Sequence, residues 1–188
     1  MLPDRLLEAE RRWENRFQTF ADMFNFEHNI STGKRHLDFG CGFGTFAKIL
    51  AERYPHVRIH GIDIDEREIA VGKERYRLPN LHLSHSKKIV GRYDSVTALL
   101  ALHEISDIEE VLCDLGRRIM VYDFRRVTRA KYREWYQKGK ARHDFEQAYL
   151  EHNRWTVGEF QQKCRDAGLK TVRSEPVGDF WLLYIGEK

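Results

Sequence analysis

The chain has 188 residues, enough for one domain with a full core, and an ordinary globular composition: 41% hydrophobic, 32% charged, net charge +3. That charge is too small to announce a nucleic-acid binder, no apolar run approaches the length of a transmembrane helix, and the opening MLPDRLLEAERRWENRF is too charged for a secretory signal. Cys41, Cys113 and Cys164 lie far apart with no C-x-x-C pair, which points to reduced thiols in a cytoplasmic protein.

Residues 3–26 read as a helix, because Leu6, Trp13, Phe17, Phe20 and Phe24 recur at helical spacing and Pro3 suits a first turn. Ser31–Lys34, with Gly33, breaks the pattern. An alternation of strands and helices follows. The first strand is expected over about Arg35–Phe39 and the next helix over about Thr45–Arg53, ended by Pro55. A second strand covers Val57–Asp63. The helix after it, about Glu66–Arg77, has Asp65 as N-cap with Glu68 three residues on. Pro79–Asn80 is a turn, Leu81–Ser84 a third strand, Gly91 a break and Tyr93–Leu99 a fourth strand.

Ser106 with Glu109 reads as a capping box for a short helix ending near Gly116. Arg118–Tyr122 is a fifth strand with Asp123 at its tip. A charged, aromatic stretch runs from Val127 to Arg154. Thr156 and Glu159 form another capping box, for a helix that ends at Gly168. Leu169–Val177 and Phe180–Ile185 are strands joined around Gly178–Asp179, a joint short enough for an antiparallel hairpin. The order predicts an α/β fold: a Rossmann-like, doubly wound, mostly parallel seven-stranded sheet with an antiparallel C-terminal hairpin. Ligands of such sheets sit beyond the carboxyl ends of the strands, so Gly40–Gly44, Asp63, Leu99–His103 and Asp123 are expected to converge on one crevice.

The most informative residues are LDFGCGFGTF, Leu37–Phe46. A strand with an acid at Asp38 leads into glycines at 40, 42 and 44 and then into a helix N-terminus. Glycine lets the backbone turn sharply and lets a ligand approach closely, and the free N–H groups at a helix start favour polar or anionic groups. A nucleotide-like cofactor fits. A dinucleotide fingerprint would need a third glycine at position 45, where Thr45 stands.

The pattern present, D-x-G-x-G-x-G, resembles the first motif of class I S-adenosylmethionine-dependent methyltransferases. The order of elements from about Arg35 to Gly186 is similar to that family's fold as well. The resemblance implies that the glycine loop wraps the methionine and ribose portion of S-adenosyl-L-methionine, that Asp38 helps position its amino group, and that Asp63 accepts hydrogen bonds from two ribose hydroxyls. The cofactor-binding set so implied is Asp38, Gly40, Cys41, Gly42, Gly44, Asp63, Ile64, Ser86, Lys87 and Leu99, with Cys41 read as packing. Ser86 stands where the family often has an acid for the adenine amino group, a departure that leaves a weaker hydrogen bond or the Lys87 backbone for that task.

After the fourth strand the chain reads LLALHEISD, and His103 is the candidate general base, since its ordinary pKa lies near neutrality. The alternative is a packed histidine, and Glu104 is a weaker candidate. The strand lacks the Asn-Pro-Pro-Tyr-like signature of enzymes that methylate exocyclic base nitrogens. No metal site is expected: His82 and His85 have no matching cysteines or carboxylates. Arg125–Arg142 interleaves basic residues with Tyr132, Trp135 and Tyr136, which suits either phosphates and stacked bases or a helix whose aromatics fold back on the domain.

The expectation is a single methyltransferase domain over 1–188: a helical cap (1–30), a cofactor-binding half (35–124), a helical substrate lid (125–156) and a C-terminal helix and hairpin (157–188). The acceptor is expected to be a small molecule. An RNA methyltransferase and a non-catalytic cofactor-binding regulatory module are the alternatives.

Overall fold

The computed structural model describes residues 4–23, 35–114, 117–138 and 144–188, the side chains of residues 4–13 and 138 excepted. The expected helical residues 24–26 with Phe24, Pro3, the turn at Ser31–Lys34, the helix end near Gly116 and the side chains of Leu6 and Trp13 lie outside the described residues. The elements in order are α1 (Asp4–Met23), β1 (Arg35–Phe39), α2 (Thr45–Arg53), β2 (Arg58–Asp63), α3 (Glu66–Arg75), β3 (Leu81–His85), β4 (Ser95–Leu99), a 3-10 turn (Leu102–Glu104), α4 (Ile108–Asp114), β5 (Arg118–Phe124), α5 (Arg129–Lys138), α6 (Phe145–His152), α7 (Val157–Asp166), β6 (Lys170–Val177) and β7 (Trp181–Glu187).

The strands form one seven-stranded sheet of order β3-β2-β1-β4-β5-β7-β6. β1 pairs in parallel with β2 and β4, β2 with β3 in parallel, and β6 with β7 antiparallel. The order reverses between β1 and β4, which makes their carboxyl ends the switch point of the sheet. By backbone proximity the chain divides into two compact units, Met1–Ala98 with Leu115–Met120 and Leu99–Asp114 with Val121–Lys188.

In the first unit the centres of β1, β2 and β4 are apolar and buried, as parallel strands covered on both faces must be: Leu37, Ile59, Ile62, Val96 and Ala98 are all closed to solvent. α1 lays Phe17 against Phe46 of α2, ring centroids 5.6 Å apart, the apolar stripe that the spacing predicted. Arg53–Asp22 and Lys48–Glu14 ion pairs flank that contact. Asn80, in the expected Pro79 turn, donates to the carbonyls of Ala51, Tyr54 and Val57, tying the end of α2 to the start of β3. α3 begins as expected, with Asp65 accepting from the N–H groups of Arg67 and Glu68. It stops at Arg75, short of Arg77, since the residue before Pro79 is barred from helical geometry. β4 begins at Ser95 rather than Tyr93 because Asp94 turns to accept from the Arg35 N–H.

In the second unit the Thr156/Glu159 capping box is present, and Gly168, at φ 81°, closes α7 by a Schellman motif: its N–H donates to Arg165 O and that of Leu169 to Cys164 O. α4 begins at Ile108, and Glu109 pairs with Lys163 of α7. The stretch after β5 resolves into α5 and α6. β5 runs two residues past Tyr122, so Asp123 lies inside the strand. All three cysteines are free. Among the described residues no helix is long and apolar enough to cross a membrane.

Candidate functional site

The first unit holds the glycine loop. Gly40, Gly42 and Gly44 all have positive φ, 69°, 54° and 79°, a conformation that side-chain-bearing residues rarely adopt. The loop is fastened to β2 from below, where Gly40 N–H and Cys41 N–H both donate to Ile62 O. A second fastening comes from Asp63: its Oδ2 accepts from Gly42 N–H at 2.8 Å and its Oδ1 from Asp65 N–H at 2.9 Å. Asp63 therefore holds the loop as well as standing at the strand tip, a role that the linear sequence does not display. A carboxylate has about four acceptor sites, so two remain for a ligand's hydroxyls.

Gly72, in the middle of α3, is a residue that sequence reasoning missed. A Cβ there would stand 2.3 Å from the Phe43 carbonyl oxygen, so the helix backbone itself presses on the loop. An isolated glycine inside a helical pattern was the available signal. The Cys41 side chain fills space rather than facing solvent, and burial pushes its thiol far up, as suits packing and not nucleophilic chemistry. Ile64 is largely exposed. Ser86 is engaged in its own turn: its hydroxyl donates to Lys88 O at 2.7 Å and accepts from Lys88 N–H, while its N–H donates to Asp63 O. Lys87 is exposed.

Asp38 is the outlying group. It is 2% exposed, Thr97 donates to its Oδ1 at 2.9 Å, and its Oδ2 has no hydrogen-bond partner among the described residues. Burial pushes its carboxyl up to about 7; the Thr97 hydroxyl and the Ala47 N–H pull the other way, and the charge of Asp63 adds to the rise. A buried carboxyl with an orphaned oxygen is costly in the empty protein and is the kind of feature that a ligand's cationic donor resolves.

The second unit holds His103. Leu99 ends β4, and Leu100 follows at φ 54°, a strained position for a leucine, with its N–H bonded to Tyr122 O. The bend delivers His103 into the 3-10 turn rather than the start of a helix. The ring is 6% exposed, and its Nδ1 donates to Asp123 Oδ1 at 2.7 Å. Asp123, fully buried, also accepts at Oδ2 from the N–H groups of Leu102 and His103, and at Oδ1 from that of Phe124. With the Nδ1 proton held there, the neutral ring keeps Nε2 as a proton acceptor. Burial lowers the His103 pKa, but Asp123 outweighs it through charge and hydrogen bond, with Glu104 and Glu151 adding, so the net shift is upward. Glu104 itself is exposed, its Oε1 3.8 Å from His103 Nε2.

Arg154 clasps the same turn, donating to the carbonyls of His103, Ile105 and Ser106. Around it lies an aromatic cluster: His152 stacks on Phe124 at 3.9 Å, the Tyr132 hydroxyl meets His152 Nδ1 at 2.7 Å, and Trp135 stands edge-on to Phe124. Among the described residues no group of His, Cys, Asp and Glu is arranged to hold a metal ion.

Comparison with known proteins agrees with the glycine spacing. Residues 37–119 match the model of a family described as a methyltransferase domain. No curated protein matches the sequence. Among solved structures, the fold is similar to an S-adenosylmethionine-dependent methyltransferase from Aquifex aeolicus, with TM-score 0.63 and 18% identity over 81% of each chain. It is also similar to the methyltransferase domain of bacterial CtHen1-CN, with TM-score 0.66, 20% identity and coverage of 91% of this chain and 98% of that one. A third is human N-acetylserotonin methyltransferase in complex with S-adenosylmethionine, with TM-score 0.60 and 15% identity, covering 95% of this chain and 56% of that one. The fold is thus the Rossmann-like methyltransferase fold, and the match to a methyltransferase domain model falls on the stretch that carries the glycine loop.

Proposed function

We propose that this protein is an S-adenosylmethionine-dependent methyltransferase acting on a small-molecule acceptor. The observation that carries the cofactor assignment is Asp38: a buried carboxyl at the end of the first strand of a methyltransferase fold, with one oxygen fixed by Thr97 and the other without a partner. An α-ammonium group supplies the missing donor. The residues present fit the rest of the cofactor. The loop from Gly40 to Gly44 keeps backbone rather than side chains against the methionine half, with Cys41 packing beneath. The Asp63 carboxylate has acceptor sites left for ribose hydroxyls, Ile64 offers an exposed apolar surface to the adenine, and Ser86, Lys87 and the end of β4 at Leu99 complete the set. When bound, S-adenosylmethionine supplies an electrophilic methyl group. The protein's own task is then to align the acceptor and keep water out, and His103, with its tautomer set by Asp123, takes the acceptor's proton where the acceptor carries one.

The small-molecule reading is supported by the state of the basic segment. Tyr132 is 1% exposed and its ring lies against those of Trp135, Tyr136 and Tyr149. Among the cations whose side chains are described, Arg126 pairs with Glu159, Arg129 with Glu146 and Lys131 with Asp179, while Arg133 lies over the Phe145 ring. A phosphate-gripping surface would leave such groups open. Calorimetric titration with S-adenosylhomocysteine and with NAD, followed by a methyl-transfer screen over small acceptors, tests the reading. Binding of the first ligand and not the second is expected; binding of NAD alone overturns the cofactor assignment, and cofactor binding without transfer to any acceptor favours a regulatory module.

A further inference from the structure

Parallel strands covered on both faces are normally apolar throughout. β1 and β4 break that rule on one face. Their register sets His36 opposite Ser95 and Asp38 opposite Thr97, and alternation along each strand puts His36 and Asp38 on one side of β1. All four residues are buried in a part of the sheet where an unpaired polar group is costly.

Their pairing is a chain with one consistent direction. Thr97 Oγ1 donates its single proton to Asp38 Oδ1 at 2.9 Å. Thr97 Oγ1 is therefore an acceptor toward His36 Nε2, 2.9 Å away, so that nitrogen carries the imidazole proton. His36 Nδ1 then accepts from the Ser95 hydroxyl at 2.8 Å. Burial holds the ring far below its ordinary pKa, at about 3, which keeps it neutral and the order of donors fixed. The chain terminates on one oxygen of Asp38 and leaves the other without a partner among the described residues. Ser95, His36 and Thr97 lie on β1 and β4 rather than in the glycine loop, yet they determine how the Asp38 carboxyl is turned.

We infer that His36 and Thr97 are positioning residues for cofactor binding: the Ser95–His36–Thr97 hydrogen-bond chain pins Asp38 Oδ1 and thereby presents Oδ2 to the α-ammonium group of an amino-acid-bearing ligand. This rests on the functional reading above. It assigns to the interior of the sheet, rather than to the loop, the selection of a ligand that carries an amino acid. Val, Leu or Ile at His36 or Thr97 would suit a buried strand but deprive the remaining members of the chain of partners, and would leave the carboxyl free to turn away from the ligand.

Two probes separate positioning from plain structure. S-Adenosylhomocysteine carries the amino acid; 5′-methylthioadenosine shares its adenosine and sulfur and lacks it. Titrations by calorimetry would compare wild type with Thr97→Ser, which keeps the hydroxyl, and Thr97→Val, which keeps the shape. Loss of a hydrogen bond that orients a charged group predicts about tenfold or more weaker binding of S-adenosylhomocysteine by the valine variant, near-wild-type binding by the serine variant, and unchanged binding of 5′-methylthioadenosine by both. His36→Gln, whose amide can still donate to Thr97, and His36→Asn, whose amide reaches only the Ser95 side, extend the test should Thr97→Val fail to fold; Gln should retain affinity and Asn should not. Equal affinities within either pair of variants, or parallel loss of both ligands, overturns the inference. Failure of the wild-type protein to bind S-adenosylhomocysteine overturns the functional reading beneath it, a result recognisably different from either.

Discussion

The affinity for S-adenosylhomocysteine should rise with pH through neutrality, and Asp38 sets the size of the effect. Its carboxyl is pushed up to about 7 by burial first, and by the charge of Asp63, against the Thr97 hydroxyl and the Ala47 N–H; the other ionisable neighbour on its strand face, His36, is neutral at these pH values. A ligand ammonium group binds the ionised form. The apparent dissociation constant is therefore the intrinsic one multiplied by the inverse of the ionised fraction, about 11 at pH 6 and about 1.1 at pH 8, a change of about tenfold or about 1.4 kcal/mol. Proton release should accompany binding near pH 7, read from the dependence of the calorimetric enthalpy on the buffer's ionisation heat. Asp38→Asn should abolish the pH dependence along with most of the affinity. The same variant should be more stable when empty at pH 8. A carboxyl whose folded pKa is raised contributes stability that is complete below its unfolded pKa and lost as pH rises through the folded one, here between about 4 and about 7, for a total of at most about 4 kcal/mol that the amide does not lose. An affinity that is flat from pH 6 to 8, or that grows toward acid, refutes the argument.

Three further outcomes follow from the geometry. Asp63→Ala should weaken S-adenosylhomocysteine binding by roughly 1.5–3 kcal/mol, and should also lower the melting temperature, because the Gly42 and Asp65 N–H groups lose their acceptor; unchanged binding by calorimetry would put ribose recognition elsewhere. With any acceptor that needs deprotonation, kcat/KM should rise with pH through a pKa above the ordinary histidine value, since His103 is shifted upward, and Asp123→Asn should remove that shift and cost at least about tenfold in rate; a profile that ignores this variant assigns no base to His103. Gly72→Ala should destabilise by about 1–3 kcal/mol in chemical denaturation despite alanine's better helix propensity, because its Cβ would stand 2.3 Å from the Phe43 carbonyl; a stabilised variant would mean that the loop does not rest on α3.

Much of the fold is legible in the sequence because its signals are local. Asp65 caps a helix two and three residues away, the Thr156/Glu159 box closes over three, and the hairpin needs only Gly178–Asp179 between two β-prone runs. The loop was legible for the same reason, its glycines meeting their φ requirement within seven residues of Asp38. What the sequence withheld is long-range. Asp123 looked like a strand-tip acid; its place inside β5, buried and gripping His103 and two backbone N–H groups of the turn, depends on a chain crossing that no window of sequence contains. His36 is one residue of the expected first strand in the sequence, and only the register with β4 reveals Ser95 and Thr97 beside it. One signal was available for Asp123: a lone acid inside a run of strand-forming residues, as in IMVYDF, needs a partner or a function.

Asp38 and Asp63 show why two acids on adjacent strands are not equivalent. β1 and β2 are in register from Arg35 with Arg58 to Phe39 with Ile62, so Asp38 sits opposite Gly61 and the two carboxyls arise two residues apart near the same end of these strands. Asp63 stands half-buried past the end of that pairing, with Gly42 N–H of the glycine loop donating to one oxygen and Asp65 N–H of its own turn to the other. Its interactions are complete enough to hold the loop in place before any ligand arrives. Asp38 is two residues deeper, where the only side-chain donor among the described residues is Thr97, and its Oδ2 has no hydrogen-bond partner among them. The loop's shape is thus built into the folded chain, while on the proposed reading the Asp38 interaction would be finished by a ligand with a cationic donor. If the proposed roles hold, such a division favours tight discrimination: a ligand without that donor would leave the buried carboxyl as costly as it found it, and an absent partner for a buried polar group discriminates more strongly than a missing apolar contact does.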